Sequence, residues 1–227
     1  MKILALVTAR KNSKRLPKKN IKILGKKTLI EWTISSAKKI NEICDILVST
    51  DDKKVFNIAK KQGALVPWMR PKKLSKDNSS SVEVTIHALD WYEKNVQKVD
   101  GILLLQPTSP YRNKKNIKMG LKLFKKNSFK KILGVSLLKN NPFLSFCIKK
   151  NRLKKITKSL IKINYKKEKL FYYINGSFYL ISPKELRKTK SFFKEPALPL
   201  IIGSKKEAID IDDAWDFKIA QKTLNLR

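Results

Sequence analysis

The 227-residue chain is predicted to be an α/β protein with a doubly wound, mostly parallel sheet. Three observations carry that expectation. Short apolar runs alternate with longer amphipathic stretches through the first half of the chain, the signature of strand and helix units in succession. Two of the runs, Ile3–Val7 and Ile102–Leu105, contain no polar residue, as strands covered on both faces require. Polar loops follow the runs directly, where the crevice of such a sheet gathers its ligand-binding groups.

The elements follow in order. Ile3–Val7 is the first strand. Thr28–Ile40 carries Leu29, Ile30, Ile34, Ala37 and Ile40 near a helical period. Asp45–Ser49 is a second strand, and Asp51–Gln62 a helix stopped by Gly63. Ala64–Val66 is a third short strand closed by Pro67. Serines 79 to 81 open a helix running to Asn95, since serine caps a helix start well. Gly101–Leu105 is the most apolar strand, followed by a helix at Asn116–Phe124 and a strand at Ile132–Leu138. Residues 140–171 break the pattern: lysine-rich, with short apolar pieces at Phe143–Ile148 and Leu160–Ile163. They are expected to form an inserted arm of short strands within an otherwise single domain spanning 1–227. Tyr172–Ile181 returns to strand, Pro183–Thr189 is a short helix, Leu198–Ile202 the last strand and Ala214–Leu224 a terminal helix.

Composition bounds the function. No apolar run approaches the ~20 residues that span a bilayer. The basic residues from Arg10 onward interrupt the apolar start before a signal peptide could be completed, which argues against secretion. Two distant cysteines, Cys44 and Cys147, argue against a disulfide scaffold or a zinc site and fit a reducing cytoplasm. The formal net charge is +34, which invites a nucleic-acid partner. Only seven of the 52 basic residues are arginine, however, and the lysines are scattered in pairs. Solvated lysine is the simpler reading, because base-edge recognition favours the planar fork of arginine.

Three stretches can carry chemistry. Thr8 to Asn20, after the first strand, lacks a glycine-rich phosphate loop but offers Arg10, Lys14 and Lys19 to phosphate oxygens, with Asn12 and Ser13 as hydrogen-bond partners. Gln106-Pro107-Thr108-Ser109-Pro110, after the most buried strand, is a rigid turn presenting small polar side chains. Asp210 and Asp212 alternate with isoleucines, so an extended backbone points both carboxylates to one face, a donor pair suited to Mg²⁺. One of the adjoining aspartates can instead cap the terminal helix. His87, the only histidine, lies beside an apolar helical stripe and reads as structural.

Taken together the stretches resemble the acylneuraminate cytidylyltransferases, including relatives that activate other nonulosonic acids. The family's A-R-x-x-S-K-x-x-x-x-K-N is matched by Ala9, Arg10, Ser13, Lys14, Lys19 and Asn20, and its Q-P-T-S-P-x-R by Gln106 to Arg112. Arg70-Pro71 with Asp77 to Ser81, Asn175-Gly176, and Asp210 with Asp212 match its remaining motifs in order. The resemblance implies a Rossmann-like nucleotidyltransferase that converts CTP and a 2-keto sugar acid to a CMP-sugar and pyrophosphate with Mg²⁺. It implies catalytic roles for Arg10, Lys19 and Asp212. Nucleotide would be held by Arg10, Asn12, Ser13, Lys14, Asn20, Arg70, Asp77 and Ser81. The acceptor would meet Gln106, Thr108, Ser109, Tyr173 and Asn175, and metal would sit on Asp210 and Asp212. It further implies a cytoplasmic homodimer, with the arm reaching the partner.

Departures bear on the acceptor. Sialate-specific relatives carry a lysine and an arginine near positions occupied here by Phe143, Leu144, Tyr173 and Ile174. A pseudaminic- or legionaminic-type acid is therefore favoured over N-acetylneuraminate, with Kdo or another sugar acid as the alternative. Arg15 stands where many relatives have glycine.

Overall fold

The computed structural model describes residues 1–128, 131–140, 142–155 and 170–224. The expected strand piece at Leu160–Ile163 lies outside them, as does Asn141. Strands β1 (Ile3–Ala9), β4 (Ile43–Thr50), β5 (Gly101–Leu105), β6 (Ile132–Leu137), β9 (Tyr172–Ile181) and β10 (Leu198–Ile201) form one sheet in the order β10-β6-β9-β5-β1-β4. All pairings are parallel except those of β9, which runs antiparallel to both β5 and β6. The short pairs β2 (Ile23–Leu24) with β3 (Lys27–Thr28), and β7 (Phe146–Lys149) with β8 (Arg152–Lys155), stand apart as hairpins.

The period of two along β1 shows why the sheet is covered twice. Ile3, Ala5, Val7 and Ala9 enter one core with Ile30 and Ile34 of helix α1 (Leu29–Ala37), Val55 of α2 (Lys53–Lys61) and Phe124 of α4 (Lys114–Lys126). Leu4 and Leu6 enter the opposite core with Leu89 and Tyr92 of α3 (Ser81–Asn95) and Leu186 of α5 (Pro183–Thr189). Each such aliphatic burial stabilises by roughly 1.5–3 kcal/mol. At Gly120 of α4 an added Cβ would meet the Phe178 ring of β9 at 2.3 Å, so only glycine lets the helix lie this close. No helix among the described residues is long and apolar enough to cross a membrane.

The helix starts are capped as their sequences require. Thr28 and Glu31 form a reciprocal cap on α1, and Ser80 and Glu83 one on α3. One strand expectation is corrected. Ala64–Val66 contributes only an isolated parallel bridge, Leu65 to Leu47, because Pro67 removes the next donor. The arm does hold short strands: β7 and β8 pair in register with Ile148 opposite Leu153.

Candidate active site

Because β1, β4 and β5 are parallel, the loops after Ala9, Thr50 and Leu105 emerge at the same end of the sheet. Antiparallel β9 brings Asn175-Gly176 to that end as well. The late aspartates arrive by a main-chain tie: the Ile211 amide donates to the Thr108 carbonyl at 2.7 Å. Ile211 is fully buried in a third, smaller core with Leu16 of the first loop, Leu24, Leu29 and Ala220 of α6 (Ala214–Thr223). Two buried aliphatics thus draw the first loop and the acidic segment together.

The loops enclose a cavity of about 650 Å³. Arg10, Ser13, Lys14, Lys19 and Asn20 line it from the first loop, Arg70, Asp77 and Ser81 from the stretch before α3. Gln106 and Thr108 come from the proline-bracketed turn, and Asp210 and Asp212 from the late segment. Arg15, Lys76 and Ser79 also line it; none was assigned a site role from the sequence, where Arg15 stands out only as a departure from the family pattern, Ser79 only as part of the Asp77 to Ser81 stretch, and Lys76 not at all.

Contacts within the cleft are charge-matched. Asp77 accepts from Arg10 at 3.0 Å and from Lys14 at 2.6 Å. Asp212 accepts from Arg15 at 2.8 Å and from Lys19 at 3.3 Å, and Lys19 also donates to the Ile211 carbonyl at 2.9 Å. Asn20 is buried, its amide donating to the Arg10 carbonyl at 2.8 Å, so it shapes the turn that presents Arg10. Buried Arg70 donates through Nε to Ser49 Oγ at 3.0 Å and through a terminal nitrogen to the Ser49 carbonyl. Burial pushes its pKa down to about 10, which leaves it charged at neutral pH.

The aspartates divide the labour. Asp213 caps α6, accepting from the Trp215 amide at 2.8 Å and the Asp216 amide at 3.0 Å. Asp210 and Asp212 are left to the cavity. The hydrogen bond from Lys14 lowers the Asp77 pKa. Asp210 opens onto the cavity, yet the protein around it strips enough water to raise its pKa, and the neighbouring Asp212 charge pushes the same way. Gly176 has φ +79°, a backbone conformation that residues with a side chain rarely adopt, and it lies against Asp210 and Ser109.

Four expected site residues lie elsewhere. Asn12 faces a neighbouring cavity of about 430 Å³ between the first loop and the start of α2. Ser109 is fully buried, with its hydroxyl unpartnered among the described residues. Asn175 is buried and spent on the turn, accepting from the Ser177 amide at 3.0 Å and donating to Ser136 Oγ at 2.8 Å. Tyr173 is exposed on β9, opposite Ser136 of β6, outside the cavity lining. Arg112 is buried and holds the cleft turn from behind, donating to the carbonyls of Ser109 at 2.8 Å, Ser177 at 2.6 Å and Gln106 at 2.5 Å.

Residues 4–197 match the family model described as cytidylyltransferase. The chain is 35% identical over 229 residues to the CMP-N,N'-diacetyllegionaminic acid synthase of Legionella pneumophila, covering all of this chain and 97% of that protein. It is 29% identical over 234 residues to a pseudaminic acid cytidylyltransferase of Campylobacter jejuni, covering 97% of this chain and 95% of that one. Among solved structures, a CMP:2-keto-3-deoxy-manno-octonic acid synthetase complexed with CTP superposes with a TM-score of 0.72 at 13% identity, over 99% of this chain and 98% of that one. That likeness speaks for the fold, and the sequence matches speak for the lineage. On a family match across most of its length, the chain belongs to the cytidylyltransferases.

Proposed function

We propose that this protein transfers the cytidylyl group of CTP to the anomeric hydroxyl of a nonulosonic acid of legionaminic or pseudaminic type. The hydroxyl oxygen attacks the α-phosphorus, the bond from that phosphorus to the bridging oxygen breaks, pyrophosphate departs and the hydroxyl loses its proton. One observation carries the reading: four loop cations and two late carboxylates line a single cavity of about 650 Å³ at the strand ends. The relatives' names supply the acceptor class.

In this scheme Arg10 and Lys19 neutralise charge growing on the α-phosphate and on departing pyrophosphate, a preorganised electrostatic role. Lys14 and Ser13 hold the outer phosphates. Asn20, Arg70 and Ser81 define the cytidine end, and Gln106 and Thr108 face the acceptor. Asp210 and Asp212 fit a divalent cation: both are hard oxygen donors on one segment, and both line the same cavity. Mg²⁺ held there would offset phosphate charge and ease ionisation of the sugar hydroxyl.

The working form is proposed to be a cytoplasmic homodimer. The arm exposes Ile148 (77%) and Leu153 (69%) side by side, an apolar face suited to a second copy of this chain. Pyrophosphate release with CTP, Mg²⁺ and a panel of legionaminic, pseudaminic, N-acetylneuraminic and Kdo acids tests the activity. Release with the first two is expected. Release with Kdo alone would overturn the acceptor class, and no release with any acid would overturn the reaction.

A further inference from the structure

The four cations that the first loop turns into the cleft are held in pairs by two carboxylates. Asp212 takes Arg15 and Lys19, and the proposed metal site accounts for it. Asp77 takes Arg10 and Lys14, and nothing in the reaction yet accounts for that. Asp77 comes from the opposite lip of the cleft, between the 3₁₀ turn at Lys72–Leu74 and the start of α3. Its two oxygens are divided between the cations: Oδ1 accepts from Arg10 at 3.0 Å and Oδ2 from Lys14 at 2.6 Å. Its main-chain carbonyl accepts from the same Arg10 nitrogen at 3.4 Å. An anion with two oxygens shared between an arginine and a lysine is the arrangement a phosphoryl group would adopt there.

A triphosphate entering this cleft competes with Asp77 for those cations, because like charges at contact distance repel.

We propose that Asp77 is an internal surrogate for phosphate. It holds Arg10 and Lys14 in the positions they use with nucleotide, and the incoming nucleotide displaces it. On this view Asp77 is a competitor of the ligand rather than a contact to it, which revises the role the motif resemblance implied. The device suits a chain of net charge +34. A cleft with four unpaired cations would collect any small anion, whereas a clasped one admits only ligands with enough charge to pull two cations away together. The inference rests on the reading that Arg10 and Lys14 serve the triphosphate.

Calorimetric titration of the full chain with inorganic pyrophosphate, without metal and at low salt, tests it on the wild type, Asp77→Asn and Asp77→Glu. Asp77→Asn keeps the shape and removes the charge. It is expected to bind pyrophosphate about three- to tenfold more tightly, the range set by two weak exposed ion pairs. Orthophosphate binding should rise with it, and Asp77→Glu should stay within about twofold of the wild type. Unchanged or weaker pyrophosphate binding in Asp77→Asn overturns the inference; weaker binding would mark Asp77 as a strut that shapes the loop. If the wild type releases pyrophosphate from CTP while Asp77→Asn binds no tighter, the surrogate fails and the activity stands. If neither the wild type nor Asp77→Asn binds pyrophosphate, the surrogate fails, and the activity is decided separately by pyrophosphate release from CTP.

Discussion

The cleft and the arm are built on opposite principles. In the cleft, polar side chains project from loops whose backbones are fixed by buried neighbours: Leu16 and Ile211 share a core, Arg112 grips three carbonyls, and Asn20 braces Arg10. In the arm the polar and apolar roles are reversed. Lysines flank a two-stranded hairpin that leaves Leu144, Ile148 and Leu153 in solvent, and an isolated hairpin is marginal in water. Chemistry here is anchored from beneath, while the arm needs a surface to lie on. Substitutions in the two regions should therefore separate cleanly into losses of turnover and losses of assembly.

The largest effect belongs to the cleft. Asp212→Ala and Arg10→Ala are each expected to lower kcat/KM by about 10³ or more, as loss of a preorganised charge partner does. The unfolding temperature should stay within about 2 °C for Arg10→Ala, whose ion pair is exposed, and fall further for Asp212→Ala, which takes the carboxylate from the largely buried Lys19. Pyrophosphate release and a thermal melt check this together, and near-normal rates in both variants would break the mechanism. Next comes the arm. Ile148→Asp combined with Leu153→Asp puts two like charges directly opposite on one face of the hairpin. Light scattering is expected to give the mass of a dimer for the wild type and of a monomer for the double variant; equal masses remove the arm from assembly. A smaller effect is expected from Gly120→Ala, which forces a methyl group into the Phe178 ring. It should cost about 1–3 kcal/mol of stability by urea denaturation, without altering KM for CTP.

How much of this was legible in the sequence follows from the same contrast. Every strand of the main sheet was readable from apolar runs, most plainly β1 and β5, whose burial on both faces leaves no polar position to confuse the period. Ala64–Val66 was over-read because three apolar residues before a proline have room for a single bridge, Leu65 to Leu47. The β2–β3 hairpin escaped notice: its strands are two residues long, and the signal that marks it is the Gly25 turn with φ +64°. For the cleft, sequence order identified which loops converge, but not where each side chain points. Asn12 belongs to the right loop and faces the neighbouring cavity; Asn175 belongs to the right strand and is consumed by its own turn. Arg15 was legible as a departure from the family pattern and not as a partner of Asp212, because an ion pair across 197 residues leaves no local trace.

The smallest prediction probes the wall shared by the cleft and α3. His87 packs edge-on against Trp68 with ring centroids 5.1 Å apart, and its Nδ1 is buried without a partner among the described residues. Burial lowers its pKa, Lys73 and Arg70 push in the same direction, and Asp90 opposes them. A histidine whose folded pKa is depressed takes its proton more readily in the unfolded chain. Its contribution is therefore complete above the unfolded pKa of about 6.5 and declines as pH falls below that value. The unfolding temperature of the wild type should drop by about 1–3 °C between pH 7 and 5.5 on this account, and His87→Leu should remove that part of the slope. The mass by light scattering should not follow the same curve, because His87 lies on the sheet-bound helix and not on the arm. A wild-type slope that His87→Leu leaves intact would overturn the assignment of the acid sensitivity to His87.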